Sequence, residues 1–173
     1  MKSHKLVVTS QWVMNVFIVF NIIGLILLMG AVLTRGGLID SLQNLADQTD
    51  ATLTLSPVLD HLDNRWIVVL AGLQRVVGTY LLFKMKSFLV NIFKDQVFIA
   101  ANVSLAKHAA GVLAFLAVIK GVLESLLQAQ TDQAYLVINL VDGSYLLAAV
   151  VVWCFALLLQ RAEEIAEENE LTI

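Results

Sequence analysis

Arg75, Lys120, Glu124 and Asp142 each sit inside a long apolar stretch of this chain. Arg75 and Lys120 are cations, and Glu124 and Asp142 are their potential counter-ions. An ionisable side chain in hydrocarbon is expensive unless it is paired or faces a polar cavity, so such residues mark structure or function by default. Lys120 and Glu124 are four residues apart and share one helix face. The expected arrangement is an ionic cluster in which Arg75 bridges to Asp142 or Glu124 and Lys120 takes the other acid, since pairing offsets desolvation. The chemistry open to it is an interhelical clamp, a ligand or ion site, or long side chains snorkelling to the surface.

A second charged group closes the chain. Arg161 is followed by Glu163, Glu164, Glu167, Glu168 and Glu170, so residues 161–173 carry one positive charge against five negative ones. Glu163/Glu167 and Glu164/Glu168 are like-charge pairs at helical spacing, which disfavours an isolated helix. Ala162, Ile165, Ala166 and Leu171 form a weak apolar side. A helix continuing into this tail has three readings: plain solvation, docking on the basic loop with Lys84, Lys86, Lys94 and Lys107, or binding a basic cytosolic protein. Anionic lipid repels it.

The remaining reactive residues are few. His4, His61 and His108 fall in separate parts of the chain, and Cys154 stands alone in an apolar run. No metal-ligand spacing, phosphate loop or dinucleotide fingerprint is present. The expectation is a protein that is not an enzyme and uses no cofactor or metal. The net charge of −3 gives no reason to expect direct nucleic-acid binding.

These residues must be positioned by membrane helices. Residues 6–34 contain no charged side chain, and about 20 apolar residues suffice to cross a bilayer. The chain is 59% hydrophobic and only 14% charged, with a mean hydropathy of +0.82. The first apolar run is too long for a signal peptide, and membrane-like sequence follows it. The reading is a single all-α domain, a transmembrane four-helix bundle. Its helices cover about 8–34, 64–88, 104–128 and 134–160, followed by the acidic tail 161–173. Lys2, Lys5, Lys84, Lys86, Lys94, Lys107 and Arg161 lie on one side and Arg35 and Arg65 on the other. The basic excess places both termini in the cytoplasm. Trp12, Trp66, Tyr80 and Tyr135 stand near helix ends, as interface aromatics do. All four intramembrane charges then share the outer half of the bilayer.

The loop from Gly36 to Asn64 carries Asp40, Asp47, Asp50, Asp60 and Asp63 without the pattern of a calcium loop. Leu38, Leu42 and Leu45 suggest a short surface helix. Ser56-Pro57 reads as a cap and first turn of a helix running into the second span. Ala117, Gly121 and Ser125 on the third helix, and Ala71, Arg75 and Thr79 on the second, recur every four residues. Such stripes let helices approach closely in lipid, within the chain or in a homo-oligomer. Asn15, Asn21 and Gln74 add polar contacts between helices.

The tail, from Gln160-Arg161 through Glu167-Glu168-Asn169-Glu170-Leu171-Thr172-Ile173, resembles the ending of the DUF2975 family of small bacterial four-helix membrane proteins. Phe98, Asn102 and Lys107 are similar to that family's Phe, Asn and Leu-Arg pattern before the third helix. Ala162, Lys107 and Glu170 depart from the family's more usual glycine, arginine and aspartate. The resemblance implies a bacterial cytoplasmic-membrane protein. It also implies a regulatory role, holding a cytosolic helix-turn-helix regulator at the membrane through the acidic tail. The other class is a small transporter, channel or ligand sensor built on the outer polar cluster.

Overall fold

The computed structural model describes residues 2–34, 37, 40–41, 44, 57–94, 96–130 and 140–170. Helix α1 covers Lys2–Leu33, α2 Arg65–Phe93, α3 Ala100–Ala129 and α4 Gly143–Glu170, with a short 3-10 helix at Pro57–His61 before α2. Four segments within them are long and apolar enough to cross a membrane: Thr9–Leu33, Arg65–Phe93, Ala100–Ala129 and Gly143–Ala166. The described residues contain no strand. The fold is all-α.

Consecutive helices run antiparallel. Leu28 of α1 lies against Gly72 of α2, Gly24 against Arg75, and Asn15 accepts a hydrogen bond from Lys86 Nζ at 2.8 Å. At the other interfaces Asn91 meets Asn102, and Lys107 meets Gln160. Extensive packing links α1 to α2, α2 to α3, and α3 to α4. The start of α1 and the end of α4 therefore share one end of the molecule, the terminal end; the other is the loop end.

The outer surfaces of this assembly are apolar. Trp12, Phe20, Ile26, Val69, Leu147 and Leu158 are all exposed. A surface with so many large apolar side chains marks contact with lipid rather than water. Inside, small residues bring α3 and α4 together. Ala106, Ala110 and Ala117 of α3 and Ala149 and Ala156 of α4 are buried. Close backbone approach of this kind maximises dispersion contacts where apolar burial alone drives little association. Ala117 and Gly121 of the expected small-residue stripe are buried within the chain.

Two local features differ from the expectations, and a third, the surface helix expected around Leu38, Leu42 and Leu45, falls partly outside the described residues. The helix at Pro57 does not run into the second span: it ends at His61, and α2 starts afresh after Asn64, whose Oδ1 accepts from Trp66 N at 3.1 Å. Gly37, Asp40, Ser41 and Asn44 have helical backbone, whereas Leu38, Leu42 and Leu45 lie outside the described residues. The larger difference concerns the fourth helix, expected from about 134. Residues 131–139 lie outside the described ones, residues 140–142 are not helical, and α4 begins at Gly143.

That late start has a consequence for depth. The Asp142 N–H donates to the Ala117 carbonyl at 2.8 Å. Ala117 is near the middle of α3, about 18 Å from its Ala129 end at 1.5 Å per residue. Non-helical backbone at such a level must be satisfied by protein, because lipid offers it no partner; the Ala117 carbonyl supplies one. Starting so deep, α4 overshoots at the other end. Val103 and Ala106 pack with Ala156 and Leu159, so the last two turns of α4 extend about 12 Å past the first residue of α3.

Candidate functional site

The polar cluster forms where α4 starts. Asp142 is its N-cap: Oδ1 accepts from Tyr145 N at 2.9 Å, and the Asp142 carbonyl accepts from Leu146 N. A carboxylate at this position satisfies a free helix N–H and faces the positive end of the helix dipole. Its other oxygen, Oδ2, accepts from Lys120 Nζ at 2.7 Å. Lys120 also meets Glu124 Oε1 at 3.4 Å, one turn along α3, and its ammonium lies 5.3 Å from the Tyr145 ring centre. Lys120 thus holds both carboxylates, and Asp142, only 11% exposed, is the more enclosed partner.

Arg75 stands apart from this arrangement. The expected bridge to Asp142 or Glu124 is absent: among the described residues its guanidinium makes no ion pair. Instead it lies over Gly24 of α1, so close that a Cβ there would stand 3.1 Å from Nη1. The physical reason is the register. The fourth helix starts at Gly143 rather than near Tyr135, which carries Asp142 to the Lys120 side of α3. Arg75 faces α1.

Between these groups lies a cavity of about 710 Å³. Asn21, Gln74, Arg75, Lys120, Glu124 and Tyr145 supply its polar lining. Leu28, Ile67, Ala71 and Leu123 form a buried apolar cluster, with Val58 and Leu59 of the 3-10 helix packed on it toward the loop end. Neither Gly24 nor Tyr145 is conspicuous in the sequence. Tyr145 had one usable signal: Val-Asp142-Gly-Ser is a helix-start pattern, which places residue 145 in the first turn.

A second polar network lies at the terminal end. Lys107 Nζ donates to Gln160 Oε1 at 2.8 Å, Gln160 Nε2 donates to Glu164 Oε1 at 3.2 Å, and Arg161 Nη1 meets Glu164 Oε2 at 2.9 Å. The tail therefore continues α4 as helix, with Arg161 relieving its own acids. Lys107 of the basic loop thus reaches the tail carboxylate Glu164 through the Gln160 amide. Lys86 bonds Asn15, and Lys84 lies over the Tyr80 ring. Glu163 is half-buried and Glu168 exposed. The side chains of Glu167 and Glu170 lie outside the described ones.

Between α2 and α3 the fully buried Asn102 fastens the turn. Its Nδ2 donates to the carbonyls of Gln96 at 2.6 Å and Val97 at 2.9 Å, and its Oδ1 accepts from Asn91 Nδ2 at 2.8 Å. This is the physical content of one residue in the Phe98, Asn102 and Lys107 pattern. Phe98 itself is exposed. His108 accepts or donates locally with Ser104 on its own helix, and Cys154 is exposed on the apolar surface.

A family model described as a protein of unknown function, DUF2975, matches residues 54–173. The match takes in α2, α3, α4 and the tail and leaves α1 outside it. Comparison with curated proteins and with solved structures gave no match.

Proposed function

The chain belongs to the DUF2975 family and is a multi-pass protein of the bacterial cytoplasmic membrane, and on that footing we propose that it is a regulatory membrane protein whose acidic tail binds a basic cytosolic partner. The observation that carries this reading is the continuity of α4. One helix runs from the cap Asp142, ion-paired to Lys120 inside the bundle, to Glu170 beyond the end of α3. The bias of basic residues puts the terminal end in the cytoplasm, so this helix joins the intramembrane cluster to the cytoplasmic acids. A change at Lys120 then shifts the tail, because a helix moves as a stiff rod.

The partner surface must be positive to complement Glu163, Glu164, Glu167, Glu168 and Glu170. A DNA-binding protein has such a surface, and a helix-turn-helix regulator is the partner that the family resemblance suggests. The test is co-purification from native membranes. A basic cytosolic protein should accompany the full chain and be lost on deleting Ala162–Ile173. Retention after that deletion removes the tail from the account.

The cavity favours a second reading, a ligand sensor. Its polar wall includes Lys120, which also holds the start of α4. A ligand there acts on the helix that carries the tail, so the two readings are parts of one device. A transporter is less well supported, since alternating access is usually built on larger repeated units.

A further inference from the structure

We infer that the cavity beside Arg75 is a binding site for a singly charged anionic amphiphile, its carboxylate held by the Arg75 guanidinium and its hydrocarbon part lying along the apolar wall of α1, α2 and α3. This deepens the ligand-sensing reading and is independent of the partner at the tail.

Charge is the first argument. Lys120 is satisfied by two carboxylates, while Arg75 has no acidic partner among the described residues. A cation at this depth calls for a counter-ion, and guanidinium binds a carboxylate through two parallel hydrogen bonds. Snorkelling does not supply an alternative. Leu28 lies against Gly72 and the Arg75 guanidinium against Gly24, so the guanidinium stays at the level of its own backbone. The missing Cβ at Gly24 is what gives it room there. Asn21 and Gln74 line the same space and offer neutral donors beside it.

The walls select the rest of the molecule. The volume of about 710 Å³ falls in the range of small-molecule sites. Toward the loop end the wall is apolar, with Leu28, Ala71 and Leu123 joined by Val58 and Leu59, which disfavours a hydrated ion. Extensive packing runs only between consecutive helices among the described residues, so the side between α1 and α4 faces lipid. An amphiphile enters by that side without leaving the hydrocarbon. Glu124 on the opposite wall disfavours a second negative charge on the ligand, which selects a carboxylate over a phosphate dianion.

The test uses the full chain in nanodiscs of zwitterionic lipid, with thermal unfolding read against added dodecanoate, dodecanol and acetate. Dodecanoate should raise the midpoint by about 5 °C near saturation, and dodecanol and acetate should not. Arg75→Gln should weaken the dodecanoate response about tenfold or more, and Arg75→Lys should restore part of it. Gly24→Leu, which leaves every charge in place but displaces the guanidinium, should weaken it too and serves if Arg75→Gln fails to fold. Equal responses to dodecanoate and dodecanol, a response to acetate alone, no response to any of them, or an undiminished response in Arg75→Gln or Gly24→Leu would each overturn the inference. The co-purification above contains no added amphiphile, so the two ideas fail separately.

Discussion

An ammonium group shared by two carboxylates cannot be removed without stranding both. Glu124 and Asp142 depend on Lys120 in this way, and Asp142 has the further duty of capping α4. Lys120→Met keeps the length of the side chain and removes its charge. It should lower the thermal midpoint by several degrees, and adding Asp142→Asn should recover much of that loss, because an unpartnered charge is worse than a neutral pair. Equal midpoints for wild type and Lys120→Met would show that the pair contributes nothing. Arg75→Gln should disturb stability less than Lys120→Met, since it breaks no ion pair among the described residues. Asn102 poses a simpler case. Replacing it by Leu leaves the Gln96 and Val97 carbonyls and the Asn91 amide without their partner, at a cost of about 2–3 kcal/mol. Chemical or thermal unfolding of Asn102→Leu against wild type checks this, and equal midpoints would contradict it.

Helices, rather than single residues, decide which charges can meet. The identity of the four intramembrane ionisable residues was legible from sequence, because each interrupts an apolar stretch. So were the four helices, through length and hydropathy. The pairing was not. It depends on interhelical register and on where α4 starts, and the mostly apolar residues from Tyr135 to Leu140 read equally well as the first turns of a span. The helix-start pattern at Asp142-Gly-Ser pointed to the actual boundary but competes weakly with a long apolar run. Gly24 carries no signal in sequence, since its role is to be absent from the space that the Arg75 guanidinium fills. The α3–α4 contact makes its own prediction. Ala156 is fully buried opposite Ala106 and Val103, so Ala156→Leu should force the helices apart at a cost of about 1–3 kcal/mol. The check is the unfolding midpoint, with exposed Leu157→Ala as a control expected to change little.

At the scale of the whole molecule, the four crossings and the apolar exterior commit the chain to lipid, and basic residues favour a cytoplasmic terminal end. Cys154 offers a check on the surroundings of α4. It is exposed on the protein but flanked by Trp153 and Phe155, which are also exposed, so it should face hydrocarbon. A membrane-impermeant maleimide should label it slowly in intact membranes and quickly in denaturant. Fast labelling in membranes would mean that this face of α4 meets water. The family match omits α1, yet Gly24 and Asn21 of that helix complete the cavity. The cavity is therefore a property of this chain as a whole, while α2, α3, α4 and the tail form the part shared with the family.

The coupling of cluster to tail is tested most directly by distance. Spin labels at Lys94→Cys and Glu168→Cys, in a Cys154→Ser background, report the position of the Glu170 end of α4 relative to the α2–α3 turn. The account predicts one narrow distance distribution, shifted or broadened when Lys120→Met releases the start of α4. An unchanged distribution in Lys120→Met would contradict it, for the tail would then be held without reference to the charges inside the membrane.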